Sequence, residues 1–151
     1  MNKHSFWRGF RYAASGLWLC VKTERNFRFH LVAAAYVFGF APLFSLSRAE
    51  WCVLCLTVGA MLCAELFNSA VERAVDRISE ERHPLSGAAK DLAAAAVLVL
   101  AVAAVAVGLW LFLRPTVWLQ IFADWQNRWW KPCLVGISLI PAWLFVFKWR
   151  N

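Results

Sequence analysis

The stretch that decides the fold is AELFNSAVERAVDRI, residues 64–78, because it places polar side chains along one face of a helix that begins in an apolar run. Glu65, Asn68, Glu72 and Asp76 follow one another at steps of three, four and four residues, so all four project from one face of an α-helix. The fourteen residues before Glu65 carry no charge. A charged residue at the centre of a spanning helix costs about 2.5–3.5 kcal/mol on insertion scales, and such residues are functional-site candidates. This face is therefore the first candidate for chemistry, with a cation or a proton as its partner.

The composition indicates a single membrane domain. Of the 151 residues, 62% are hydrophobic, whereas roughly 45–50% is usual for a soluble domain. The formal net charge is +7, but basic residues also follow membrane orientation, so this charge does not indicate nucleic acid and we expect no nucleic-acid partner. The fold class we predict is an all-α membrane protein.

An amphipathic segment and four apolar segments follow one another along the chain. Residues 4–22 have apolar side chains at helical spacing among basic and aromatic ones, which predicts a helix on the membrane surface. Three core spans are predicted over residues 31–47, 51–78 and 90–113, and a fourth, C-terminal span over residues 132–147. The fourth is short and contains a proline, so an interfacial or re-entrant course stays open for it.

The distribution of Lys and Arg predicts the orientation. Twelve of the 16 Lys and Arg residues flank the predicted spans on the side of the two termini, and four lie on the other side. By the positive-inside rule, both termini and the polar end of the acidic face should lie in the cytoplasm. The domain organisation we predict is a core over residues 1–113 and a C-terminal extension over residues 114–151, whose tryptophan-rich segment 114–131 faces outward.

Three polar clusters should meet on the cytoplasmic side: residues 23–30, the acidic face, and residues 83–91. They offer carboxylates for a divalent metal, and a lysine and a histidine for phosphates. Mg²⁺ takes oxygen ligands and usually bridges substrate phosphates. Phosphoryl transfer needs mainly positioning, neutralisation of charge and a base. No GxxxxGK[ST] loop and no HRD or DFG motif of the soluble kinases is present in the sequence.

The same clusters carry a resemblance to a known family. The chain resembles the small bacterial integral-membrane lipid kinases, the diacylglycerol kinase and undecaprenol kinase family, over roughly residues 5–113. The matching runs are ERNFR at 24–28, ELFNSAVE at 65–72 with VDR at 75–77, and HPLSG at 83–87 with AKD at 89–91 and AAAVL at 94–98. The pattern E-x-x-N-S-A-x-E-x-x-V-D inside a membrane helix is far more specific than any short motif.

The resemblance implies a role for each matching position. Glu65 matches the general base that takes the proton from the lipid hydroxyl, and Glu24 and Glu72 match the residues that hold Mg²⁺ with the nucleotide. Lipid contacts are implied for Asn26, Arg28 and Glu65. Contacts with ATP are implied for Tyr12, Glu24, Asn68, Glu72, Asp76, Glu81, His83, Lys90 and Asp91.

The resemblance also implies an assembly and a location. Members form homotrimers whose active sites are shared between neighbouring chains, in the bacterial inner membrane. The lipid stays open between undecaprenol and diacylglycerol, because the ERNFR and HPL runs are more similar to the undecaprenol kinase branch, and the SG and AKD residues to the diacylglycerol kinase branch.

Two functions of other classes compete with a lipid kinase. Intramembrane acids also mark cation and proton transport pathways, but the outer half of the predicted spans offers few polar side chains. The polar clusters could alternatively lock the helices of a non-enzymatic membrane scaffold together.

Overall fold

The computed structural model describes residues 3–78 and 84–149, and these residues are helical almost throughout, with no strand among them. Four of the helical segments are long and apolar enough to cross a membrane. The prediction of an all-α, multi-pass membrane protein is therefore confirmed. The elements in chain order are α1 (Lys3–Thr23), α2 (Arg25–Phe40), a 3₁₀ turn (Ala41–Phe44), α3 (Arg48–Ile78), α4 (Pro84–Phe112), α5 (Pro115–Asn127) and α6 (Trp130–Phe147).

The helices begin earlier than hydropathy alone predicted. α2 begins at Arg25 rather than at position 31, and α4 begins at Pro84 rather than at position 90, because a helix continues past the end of its apolar run into water. Proline is well suited to the first turn of a helix, where no partner for its missing N–H is needed. Two predicted nucleotide contacts, Glu81 and His83, lie outside the described residues.

A capped turn joins α2 to α3. The α-helix gives way to the 3₁₀ turn that contains Pro42, and Ser45 then adopts a left-handed conformation with φ of 48°. Ser47 and Glu50 form a reciprocal cap: the Ser47 amide donates to Glu50 Oε2 at 2.7 Å, and the Glu50 amide donates to Ser47 Oγ at 3.3 Å. α3 therefore starts at a fixed point.

The buried core lies at this same end of the helices. Ala41, Leu54 and Leu111 pack together there. The ring of Phe44 meets the ring of Phe112 edge to face at a centroid distance of 4.9 Å. Arg114 forms an ion pair with Glu50 and donates to the Phe44 carbonyl at 2.9 Å. These contacts hold α2, α3 and α4 together at the end of the helices opposite the acidic residues. The acidic residues are therefore not needed for this packing.

The extension folds back onto the core. In α5, Asp124 accepts a hydrogen bond of 2.5 Å from Lys131 of α6, and this bond lowers the pKa of the Asp124 carboxyl. α6 then runs beside α2, where the hydroxyls of Tyr36 and Ser138 lie 2.7 Å apart. Its length and composition suit a span, as predicted for residues 132–147.

Arg28 fastens two helix ends to the start of α2. Its side chain is 5% exposed. Nη1 donates to the carbonyls of Val21 and Lys22, at 3.0 and 3.2 Å, and Nε and Nη2 donate to the carbonyl of Val146, at 3.2 and 3.1 Å. The last carbonyls of a helix lack partners within that helix and carry partial negative charge. One guanidinium thus caps the last turns of α1 and α6 together.

We expect Arg28→Ala to destabilise the protein by about 3 kcal/mol, because charge-assisted hydrogen bonds are lost and buried carbonyls are left without a donor. The matched control is Arg25→Ala, since Arg25 is exposed and its guanidinium lies over the Phe147 ring of α6, at 5.9 Å. That contact is worth about 0.5–1 kcal/mol. Unfolding of both variants in detergent, followed by circular dichroism, measures the difference. Equal stability of the two variants would contradict the capping role.

Candidate active site

The centre of the site is a buried acid paired with a histidine. Glu65 of α3 is 3% exposed, and its Oε1 lies 3.2 Å from Nε2 of His30 on α2. An ionised carboxylate in apolar surroundings needs such a partner, because burying an unpaired charge is very unfavourable. Glu65 is therefore held in one place by a group that can donate a hydrogen bond to it.

The acidic face continues from Glu65 with an amide and a second carboxylate. Asn68 Nδ2 donates to Glu72 Oε1 at 2.9 Å, one helical turn along α3. The Asn68 Oδ1 atom is buried and has no hydrogen-bond partner among the described residues. Buried polar atoms are nearly always paired, so this oxygen is available to a ligand.

Glu24 joins this face from another helix. It stands between α1 and α2 in an extended conformation, with φ of −103° and ψ of 110°. Its Oε1 accepts hydrogen bonds from Arg73 Nη2 at 2.8 Å and from Thr23 Oγ1 at 2.9 Å. Arg73 of α3 thus links Glu24 to the helix that carries Glu65 and Glu72.

The remaining predicted residues lie further towards the polar end or on the surface. Asp76 forms an ion pair with Lys90 of α4. Asp91 and Asn26 are exposed, and Tyr12 is 67% exposed on α1. Asp76 is eleven residues beyond Glu65, which corresponds to about 16 Å along the helix axis. The described part of one chain therefore holds an inner group, made of Glu65 and the contacting side chains described above, and an outer pair of Asp76 and Lys90, whereas Tyr12 stands exposed on α1.

Arg28 has a different setting from the other predicted lipid contacts, since its guanidinium is occupied by main-chain carbonyls. These contacts show a structural role, while its predicted contact with lipid stays a prediction.

Sequence reasoning assigned no role to two residues of the inner group. His30 pairs with Glu65, and Arg73 pairs with Glu24. The sequence feature that could have indicated a role for His30 is its position on α2, six residues after Glu24. For Arg73 there was no comparable signal, because it looked like one more basic residue at a helix end.

The oxygen-rich part of the inner group could hold a hard cation only together with a ligand's oxygens. Among the residues that the structure describes, no three His, Cys, Asp or Glu side chains lie close enough to hold a metal ion by themselves. Glu24, Glu72 and the Asn68 oxygen offer the type of ligand that Mg²⁺ prefers, and Mg²⁺ commonly uses one or two carboxylates and completes its shell with water and substrate phosphates.

Comparisons with known proteins identify the family of the chain. Residues 11–112 match the family described as prokaryotic diacylglycerol kinase. The chain is 45% identical to an undecaprenol kinase of Bacillus subtilis over 108 residues, which is 72% of this chain and 88% of the relative. It is 41% identical to a diacylglycerol kinase of Synechocystis over 113 residues, 74% of this chain and 65% of the relative.

A diacylglycerol kinase of Escherichia coli is 36% identical over 99 residues, which is 66% of this chain and 75% of the relative. The matched region contains α2, α3 and α4 with the whole inner group, and it ends before α5 and α6. The predicted resemblance is confirmed, and so is the prediction of a lipid kinase at the level of the family. The chain belongs to the prokaryotic diacylglycerol kinase family.

Proposed function

We propose that the protein transfers the terminal phosphoryl group of ATP to the hydroxyl of a membrane lipid, undecaprenol or diacylglycerol, at the site centred on Glu65. The observation that carries the proposal is the buried Glu65 carboxylate, held by His30 at the end of an uncharged stretch of α3 and followed along α3 by an amide oxygen without a partner among the described residues and by a second acid. The hydroxyl of a lipid lies at the membrane surface, and a nucleotide comes from the cytoplasm. A helix that carries acidic residues across this boundary can contact both the lipid and the nucleotide.

The proposed reaction needs a general base and an in-line approach of the lipid hydroxyl to the γ-phosphorus. Glu65 takes the proton of the lipid hydroxyl, and the hydroxyl oxygen bonds to the γ-phosphorus while the bond from that phosphorus to ADP breaks. A positioned base contributes typically about 10²–10⁴-fold to such a step, and the rest comes from positioning and charge stabilisation. His30 holds the Glu65 carboxylate in the orientation for this transfer.

Glu24, Glu72 and Asn68 Oδ1 are the residues that would hold Mg²⁺ with the nucleotide. Their oxygens fit a hard cation, and the buried Asn68 oxygen lacks another partner. When bound, Mg²⁺ neutralises charge on the phosphates. Arg73 keeps Glu24 turned towards α3.

The phosphates and the base of the nucleotide would extend towards the polar end of α3. Lys90 is a positive charge suited to a phosphate, and it is held beside Asp76. We propose nucleotide contacts also for Asp91, Glu81, His83 and Tyr12. Tyr12 is exposed on α1, and a homotrimer that shares its sites between neighbouring chains, in a bacterial inner membrane, completes the proposal.

Membrane vesicles of defined orientation test this function. Inverted and right-side-out vesicles receive external radiolabelled ATP with Mg²⁺, and undecaprenol or dioleoylglycerol is added to each. We expect labelled lipid phosphate in inverted vesicles only, since the site should face the cytoplasm. Product in right-side-out vesicles alone would reverse the orientation. Ion flux that does not need ATP would favour a transporter, and purified protein that fails to bind Mg-ATP would favour a scaffold.

A further inference from the structure

The part of the molecule that the proposed reaction does not yet use is a cavity between α2, α3 and α4. Its volume is about 150 Å³, and its wall is almost entirely apolar. His30 stands at one end of it, and Met61 and Leu62 line it one turn before Glu65. The cavity therefore adjoins His30, the partner of Glu65.

Small residues create this space. Ala33 and Ala34 of α2 face Ala104 and Gly108 of α4 across the cavity. Gly108 lines the cavity, and a Cβ atom added there would meet no atom within 4 Å. Larger side chains at these positions would let the helices pack without a gap.

The cavity runs in the direction that the hydrocarbon chain of a bound lipid would take. From His30 to Val37 the wall follows α2 away from the polar end over about 10 Å of helix. A hydroxyl beside Glu65 belongs to a lipid whose hydrocarbon continues towards the bilayer centre, and a core about 30 Å thick leaves room for this course within one leaflet. An apolar cavity of about this volume can hold a benzene-sized molecule. The space thus suits a single chain over about its first six carbons.

The polar groups of the cavity wall determine which type of lipid chain can enter. They are His30, whose Nε2 faces Glu65, and Thr57, whose hydroxyl already donates to the Val53 carbonyl at 2.8 Å. Ester carbonyls that entered this space would lose water, while the Thr57 hydroxyl and His30 Nε2 already have acceptors, and that is unfavourable. A hydrocarbon chain loses nothing of this kind.

We infer that this cavity binds the first carbons of the acceptor's hydrocarbon chain, and that it admits one ester-free chain rather than the two ester-linked chains of a diacylglycerol. The inference rests on the proposed function for the place of the hydroxyl. It makes Ala33, Ala104 and Gly108 the residues that determine lipid specificity. The acceptor class that fits is a single-chain lipid alcohol.

The variant that tests the cavity is Gly108→Leu, which fills it from α4. The matched control is Gly136→Leu, since Gly136 is exposed on α6 and a Cβ there also meets no atom within 4 Å. We expect Gly108→Leu to raise the KM for undecaprenol about tenfold or more, which is the range for a mismatch of a methylene or more in an apolar pocket. Its KM for ATP and its oligomeric state should not change, and Gly136→Leu should match the wild type. If Gly108→Leu does not fold, Ala104→Leu takes its place.

Photolabelling separates this inference from the proposed reaction, because it needs no turnover. A farnesol that carries a diazirine near its hydroxyl end is irradiated with the protein in detergent without ATP. We expect label on peptides from residues 30–37, 54–62 and 104–112, competed by undecaprenol and weakly by dioleoylglycerol, and lost in Gly108→Leu. Correct labelling without phosphorylation of any lipid would reject the kinase function alone.

Three results would overturn the inference. Equal labelling in Gly108→Leu and Gly136→Leu would place the chain elsewhere. Equal competition by dioleoylglycerol would remove the selection for one chain. A change of oligomeric state in Gly108→Leu with unchanged lipid kinetics would assign the cavity to contact with a second copy of the chain.

Discussion

Glu65→Gln should lower turnover of the lipid substrate by about 10²–10⁴-fold, the contribution of a positioned general base. The amide keeps the size of the side chain, and its oxygen can still accept a hydrogen bond from His30, which lies 3.2 Å from Glu65 in the native pair. The helices and any oligomer should therefore remain intact. What the variant loses is the ability to accept the hydroxyl proton.

The matched control for this variant is Glu50→Gln. Glu50 lies on the same helix at its other end, where it caps the first turn and pairs with Arg114. The same chemical change there should leave turnover near that of the wild type, with a modest loss of stability. Initial rates in mixed micelles, together with size-exclusion profiles of both variants, check the expectation. A Glu65→Gln protein with near-native turnover would show that another group is the base.

The acidic face was predictable because it depends on one helix alone. A period of 3.6 residues places Glu65, Asn68 and Glu72 together whatever the rest of the chain does, and the structure gives Asn68 and Glu72 a direct hydrogen bond. The absence of charge before Glu65 predicted apolar surroundings in the same way, and the structure buries Glu65. Local patterns of this kind need no knowledge of which helices touch.

Contacts between residues far apart in the sequence could not be predicted from hydropathy or residue spacing. Arg28 looked like one more residue of the polar cluster before the first span, yet it binds the Val146 carbonyl, 118 residues away. Arg73 reaches Glu24 from 49 residues away. Neither the Arg28–Val146 contact nor the Arg73–Glu24 contact can be recognised in the sequence, because each depends on the angle at which helices cross. His30 is similar: its pairing with Glu65 follows from the packing of α2 against α3, and so does the cavity beside it.

The second large effect is expected from Glu72→Gln, which removes a charge from the proposed Mg²⁺ ligands and keeps the shape of the side chain. The amide oxygen can still accept the hydrogen bond from Asn68, so the face of α3 should keep its geometry. Loss of a supporting group around a metal typically costs about 10–100-fold in affinity or activity, and a direct ligand should cost at least the upper end of that range. We therefore expect the apparent affinity for Mg²⁺ to fall by about 100-fold.

The dependence on metal concentration distinguishes this role from that of Glu65. Turnover of Glu72→Gln should recover in part as Mg²⁺ is raised, since mass action compensates for a weaker site, whereas the turnover of Glu65→Gln should stay equally low at every Mg²⁺ concentration. Titration of turnover with Mg²⁺ at fixed lipid and ATP, for both variants and for Glu50→Gln, provides the comparison. An unchanged Mg²⁺ titration in Glu72→Gln would remove this residue from the metal site. Because both residues lie on one face of α3, opposite behaviour of the two variants would assign the proton to the buried end of that face and the metal to the end nearer the cytoplasm.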